Sequence, residues 1–169
     1  MFQRFRQRLR DMGTIRLLCE GAERHARGNG EPQPGAEHFL LASLDLPDGS
    51  ARRAFARVHA DADDFCAAVA RQYDQALRSA GVEQAAWPAG DDALPEPQRP
   101  SLYRAQASGQ AVMQRLAELR KADPAAPLRG AHVLLVVASM EHGVAVRSLR
   151  AMGVEPEALI AAARNEAAA

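Results

Sequence analysis

His38-Phe39-Leu40-Leu41 returns 94 residues later as His132-Val133-Leu134-Leu135. The offset then runs on without a gap. Gly49 falls on Gly143, Ala51 on Ala145, Arg53 on Arg147, Phe55 on Leu149, Asp61 on Glu155 and Phe65 on Leu159. A unit of this length is longer than a solenoid repeat and amounts to a small subdomain. Two copies in one short chain predict a pseudo-symmetric pair of helical bundles with two equivalent surface grooves.

Composition sets the limits. The 169 residues suffice for one domain or two closely packed lobes with a real core. Lys plus Arg and Asp plus Glu number 21 each, so no global basic field draws the chain to nucleic acid. The charge is uneven, because the first ten residues hold Arg4, Arg6, Arg8 and Arg10 and no acid. That start reads as a solvated helix face or a frayed end rather than a nucleic-acid or membrane-surface segment. No apolar run approaches the roughly 20 residues of a membrane-spanning helix, and the opening residues lead into no signal-peptide core. A cytoplasmic location is the expectation. Cys19 and Cys66 sit among apolar helix positions and read as buried, reduced thiols. Alanine is abundant and β-branched runs are scarce, so the chain reads as all-α with about eight helices.

Periodicity places them. Ile15, Leu18, Cys19, Ala22 and Ala26 form one stripe, starting from Thr14 and ending near Gly28. Pro32 and Pro34 stop that helix. A second runs from Ala36 to Leu44, and Ser50 is the expected cap of a third over 51–58. Asp61 is the expected cap of a fourth over 62–80, with Phe65, Val69, Tyr73 and Leu77 on one face. Four prolines mark 81–100 as a linker, in which Trp87 is expected to anchor against one lobe. In the second copy, helices are predicted over 102–121, 130–140, 143–151 and 155–166, the last opened by Glu155-Pro156-Glu157. The division is an Arg-rich segment 1–11, a first repeat 12–80, the linker 81–100 and a second repeat 101–169.

The first copy reads Gly35-Ala36-Glu37-His38-Phe39-Leu40-Leu41, then Asp48-Gly49-Ser50-Ala51-Arg52. The second reads Gly130-Ala131-His132-Val133-Leu134-Leu135, then Gly143-Val144-Ala145-Val146-Arg147, then Met152-Gly153-Val154-Glu155-Pro156-Glu157. From Thr14 to Arg164 this order resembles the amino-terminal domain of the Clp/Hsp100 unfoldases, a tandem repeat of four-helix units. The opening Met1-Phe2-Gln3-Arg4-Phe5 is similar to that of the ClpC-type members. The resemblance implies one compact domain that docks adaptors, substrates and, in some members, phosphoarginine marks. The 169 residues hold no Gly-x-x-x-x-Gly-Lys-Ser/Thr loop for phosphates, so a standalone, ATP-independent role is expected.

The resemblance also implies candidate site residues. Glu37 stands where phosphoarginine-reading members have a guanidinium clamp, and a carboxylate suits that task because it accepts both prongs of the fork. The same position in copy two is Ala131, so at most one such site is expected. Ala36 replaces the family's neighbouring threonine. The family's early threonine, which helps hold the phosphate, aligns with Met12, and Thr14 or Arg6 takes its place if the first helix starts differently. The plain alternative for Glu37 is a carboxylate stabilised by the helix dipole.

His38 and His132 lie on different lobes, each followed by apolar residues, and read as structural histidines bonding a neighbouring loop. With Gly49 and Gly143 they mark the repeat. His25, His59 and His142 lack metal-ligand spacing. Asp61, Asp63 and Asp64 open a helix, where acids belong. Nothing in the sequence forms a nucleophile–base pair, so catalysis, metal and cofactor are not expected.

The expected function is therefore protein or peptide binding that tunes Clp-dependent proteolysis, through an adaptor, a substrate or a Clp unfoldase. The alternatives are a sheath-binding accessory of the type VI secretion kind and phosphoarginine-type binding at the single site around Glu37.

Overall fold

The computed structural model describes residues 2–79 and 105–169. Among the described residues there are eight helices and no strand: α1 Phe2–Gly28, α2 Ala36–Leu44, α3 Ser50–Arg57, α4 Asp64–Ser79, α5 Ala107–Ala122, α6 Gly130–Ala138, α7 Val144–Ala151 and α8 Pro156–Ala168. The chain is all-α, in the predicted order. The linker, Trp87 and the first residues of the helix expected from Leu102 lie outside the described residues.

Several boundaries move for local reasons. The Arg-rich start is continuous with α1, which begins at Phe2 rather than near Thr14. Phe2, Phe5 and Leu9 stand at helical spacing and arginine is a good helix former, so the helix reaches back through the Arg-rich start. Ser50 is the first helical residue and not the cap. Gly49, at φ 64°, holds the N-cap position, and Asp48 Oδ1 accepts the Ser50 N–H at 2.9 Å. Asp61 does not cap α4 directly. It accepts the Asp63 N–H at 2.9 Å in a turn ahead of a helix that starts at Asp64. Ala105 and Gln106 are non-helical, and α5 begins at Ala107. Gly143 stands at the N-cap of α7 and Pro156 at the first turn of α8.

The expected two lobes are one interleaved body. The centre is α2 packed on α6, both apolar nearly all round. α3 of the first repeat packs on α8 of the second, and α4 of the first on α7 of the second. Phe39, Leu40, Phe55 and Phe65 share one continuous core with Val133, Leu134, Leu149 and Leu159. These side chains fill the space between the two repeats. An eight-residue helix such as α3 or α7 buries too little on its own, and exchange gives each a longer partner. Close approach is built in at Gly109 of α5, where a Cβ would stand 2.5 Å from the Pro34 carbonyl oxygen and 3.0 Å from Phe39 Cε2.

The cysteines divide. Cys19 is buried, and burial pushes its thiol up to about 11. Cys66 is exposed, against the sequence expectation, because it points away from the Phe65–Val69 side of α4.

Candidate functional site around Glu37

The start of α2 gathers the polar groups. His38 occupies the third position of the helix, and its Nδ1 accepts the N–H of the cap residue Gly35 at 2.9 Å. This is half of a capping box, with imidazole in place of the usual Glu or Gln. The same device recurs in α6, where His132 Nδ1 accepts the Arg129 N–H at 3.2 Å. Each histidine therefore closes its own helix, and His38 also meets the neighbouring turn after α1, as expected. The Gly35 bond assigns the neutral proton of His38 to Nε2, which lies 3.2 Å from the Asn29 side-chain amide. Burial lowers the pKa of both imidazoles.

Each of these helix starts is also completed from the other repeat. Ser108 Oγ of α5 accepts the Ala36 N–H at 3.2 Å. Asp48 Oδ2 accepts the Gly130 N–H at 3.0 Å, and Ser50 Oγ accepts the Ala131 N–H at 2.8 Å. Free N–H groups at a helix start need acceptors when buried.

Glu37 is 3% exposed. Its Oε1 accepts the Tyr73 hydroxyl at 2.6 Å and lies 3.2 Å from His38 Nδ1. The Tyr73 ring stacks on the His38 ring at a centroid distance of 6.1 Å. Burial, then the bond to Glu37, raises the Tyr73 pKa, so the phenol keeps its proton. A Cβ on Gly35 would stand 2.5 Å from Glu37 Oε1 and 3.0 Å from Gln106 Oε1, so the bare Gly35 forms one wall. Gln106 is held by Glu31 Oε2 at 3.2 Å and the Gln33 carbonyl at 3.0 Å.

The remaining predicted site residues fall elsewhere. Asn29, at the end of α1, meets His38, whereas Met12 lies 17 residues earlier along that helix, about 25 Å away. Met12 is 66% exposed, and Thr14 Oγ1 donates to the Arg10 carbonyl at 3.2 Å. Beside Glu37 stand Gln106 and Ser108, which are the 94-residue mates of Met12 and Thr14. The expected grouping of Met12 and Thr14 with Glu37 is thus corrected by exchange between the repeats. Ala36 is buried at the site and contributes its N–H.

Sequence reasoning passed over Tyr73 as a core position, and it passed over Gln106 and Ser108 altogether. The offset of 94 was the signal that could have found the last two. It also passed over Asp11, whose Oδ1 accepts the Leu128 N–H at 3.0 Å and whose Oδ2 pairs with Arg120. Arg120 also donates to the Asp123 carbonyl at 2.8 Å and shapes the loop before α6.

A cation at Glu37 would share the carboxylate with Tyr73. A guanidinium fork uses both carboxylate oxygens, and one of them serves Tyr73. Among the described residues, no group of three or more His, Cys, Asp and Glu could hold a metal ion. Among them too, no helix is long and apolar enough to cross a membrane. The chain matches no protein-family model and none of the curated proteins.

Proposed function

We propose that this chain is a non-catalytic docking module of the kind found at the amino terminus of Clp unfoldases. In this reading it works in the cytoplasm, binds an adaptor, a substrate or a Clp unfoldase, and modulates Clp-dependent proteolysis. The observation that carries the proposal is the duplication itself: the offset of 94 pairs not only the helices but also the polar contacts that lock them across the repeats. A duplicated, interlocked helical body is a preformed platform, and a preformed surface loses less entropy when a partner binds. Affinity capture from the native cytosol with the chain as bait tests it. Recovery of Clp unfoldases or their adaptors is the expected result, and recovery of neither overturns the reading.

A second reading is favoured by the bare Gly35 wall and the buried carboxylate of Glu37. Here Tyr73 acts as a stand-in for the guanidinium of a phosphoarginine-type ligand. Titration with free phosphoarginine should give weak binding to the native chain, tighter binding to Tyr73→Phe and none to Glu37→Ala. Equal binding, or none, in all three removes this reading.

A further inference from the structure

We infer that the outer face of the N-terminal half of α1 docks an acidic amphipathic helix of a partner protein. The inference rests on the docking-module reading and adds the surface and the class of partner. It lies apart from the Glu37 site.

α1 spans 27 residues, about 40 Å, whereas α2, on which it packs, spans nine, about 14 Å. Its N-terminal half is tied to the rest of the chain by Asp11, through Leu128 and Arg120. On the other side of the helix Leu9, Met12 and Leu17 are all exposed. Their spacing sets them on one stripe with Gly13 and Arg16, opposite the buried Asp11, Leu18 and Ala22.

Gly13 supplies a second observation. Among the described residues, a Cβ there would meet nothing within 4 Å. Glycine is a poor helix former, and among the described residues no contact requires it at this position. A bare Cα in the middle of an apolar stripe allows another helix backbone to come close.

Charge selects the partner. Arg6, Arg8 and Arg10 are exposed around the stripe, and the first ten residues contain no acid. A helix with an apolar stripe flanked by carboxylates matches both features. A second copy of the same face meets like charge. Nucleic acid neutralises the arginines but leaves Leu9, Met12 and Leu17 uncovered. An interfacial membrane helix would also use the arginines, and a preference for vesicles is the outcome that would assign the face to a membrane.

The test uses the full chain and a synthetic peptide of roughly 18 residues, long enough for a helix to form on contact. The peptide carries leucine at i, i+3, i+4 and i+7 and glutamate elsewhere. A lysine counterpart and phosphatidylglycerol vesicles are the competitors. Calorimetry should show binding of the glutamate peptide, and amide exchange should show protection over residues 6–17. Leu9→Asp with Met12→Asp should weaken binding at least about tenfold. Gly13→Ala should weaken it several-fold while raising thermal stability, which separates loss of contact from loss of fold. Equal binding of the lysine peptide, preference for vesicles or unchanged affinity in Gly13→Ala each overturns the inference. Capture of Clp components by the native chain, with no peptide bound, sinks this surface and leaves the docking-module reading standing. Peptide binding without any such capture does the reverse.

Discussion

Arg53 of α3 donates from Nε to Glu166 of α8 at 2.7 Å, and the contact joins the first repeat to the last helix of the second. Its repeat mate, Arg147 of α7, donates from Nε to Gln72 of α4 at 3.1 Å. Gln72 and Glu166 are themselves 94 residues apart. The same lock is therefore made twice, each time between repeats. Glu166 is the stronger version, because Arg57 Nε donates to its second oxygen at 2.6 Å.

Those two hydrogen bonds lower the Glu166 pKa, Arg53 contributing more than Arg57. A carboxylate with a lowered folded-state pKa stabilises the fold above its unfolded value of roughly 4.3, and the contribution fades as pH falls through the folded value. Glu166→Gln should thus be less stable than the native chain at pH 7, and the two should converge on acidification below that value. Urea unfolding at a series of pH values measures the difference. Parallel curves would show that the pair contributes no charge-dependent stability.

His59 ends α3 with φ 56°, and its repeat mate Gly153 does the same after α7 with φ 73°. The left-handed conformation costs an L-residue roughly 1–2 kcal/mol, while glycine adds roughly 0.5–1 kcal/mol of backbone entropy to be lost on folding. His59→Gly should therefore stabilise by about 0.5–1 kcal/mol. Gly153→Ala should destabilise by a similar amount. Thermal unfolding of both variants checks the pair, and opposite signs are required.

The helices were legible because core positions repeat their period in both copies. Leu40 and Leu134, or Phe65 and Leu159, occupy matching places and are all buried. The site was less legible. Offset alone says that Met12 and Gln106 are equivalent, and is silent on which of them stands beside Glu37. Helices can pack within a repeat or across it with the same apolar faces, and the choice falls to three-dimensional fit at points such as Gly109 against Pro34. The reach of α1 was half legible: Phe2, Phe5 and Leu9 stand at helical spacing, but a short Arg-rich start fits a frayed end as well as a helix.

His38 and His132 both have pKa values lowered by burial. The nearby Glu37 opposes this at His38, but burial is the larger cause at each. In the unfolded chain each imidazole takes up a proton near pH about 6.5, before it does so in the fold. Stability should be full above that value and should decline as pH falls below it, until the folded pKa is passed. Denaturant midpoints between pH 8 and pH 5, which bracket the ordinary histidine value at about 6.5, trace this limb. His38→Asn with His132→Asn keeps an acceptor at each helix start and removes the titration. That variant should show a flat profile over the range, and a decline equal to the native chain's would assign the acid sensitivity to other groups.

Ser148 of α7 is buried, and among the described residues its hydroxyl has no hydrogen-bond partner. Its repeat mate is Ala54 of α3, also fully buried. The two positions face equivalent surroundings, so alanine fits at 148 without a new clash. Burying an unpaired hydroxyl costs about 1–3 kcal/mol, and alanine is the better helix former by a few tenths of a kcal/mol. Ser148→Ala should then raise stability by about 1 kcal/mol. Ala54→Ser should lower it by at least as much, because there the hydroxyl also adds volume to a packed site. Chemical denaturation of both variants decides the matter. A destabilised Ser148→Ala would mean that the hydroxyl has a partner in solution, such as a buried water.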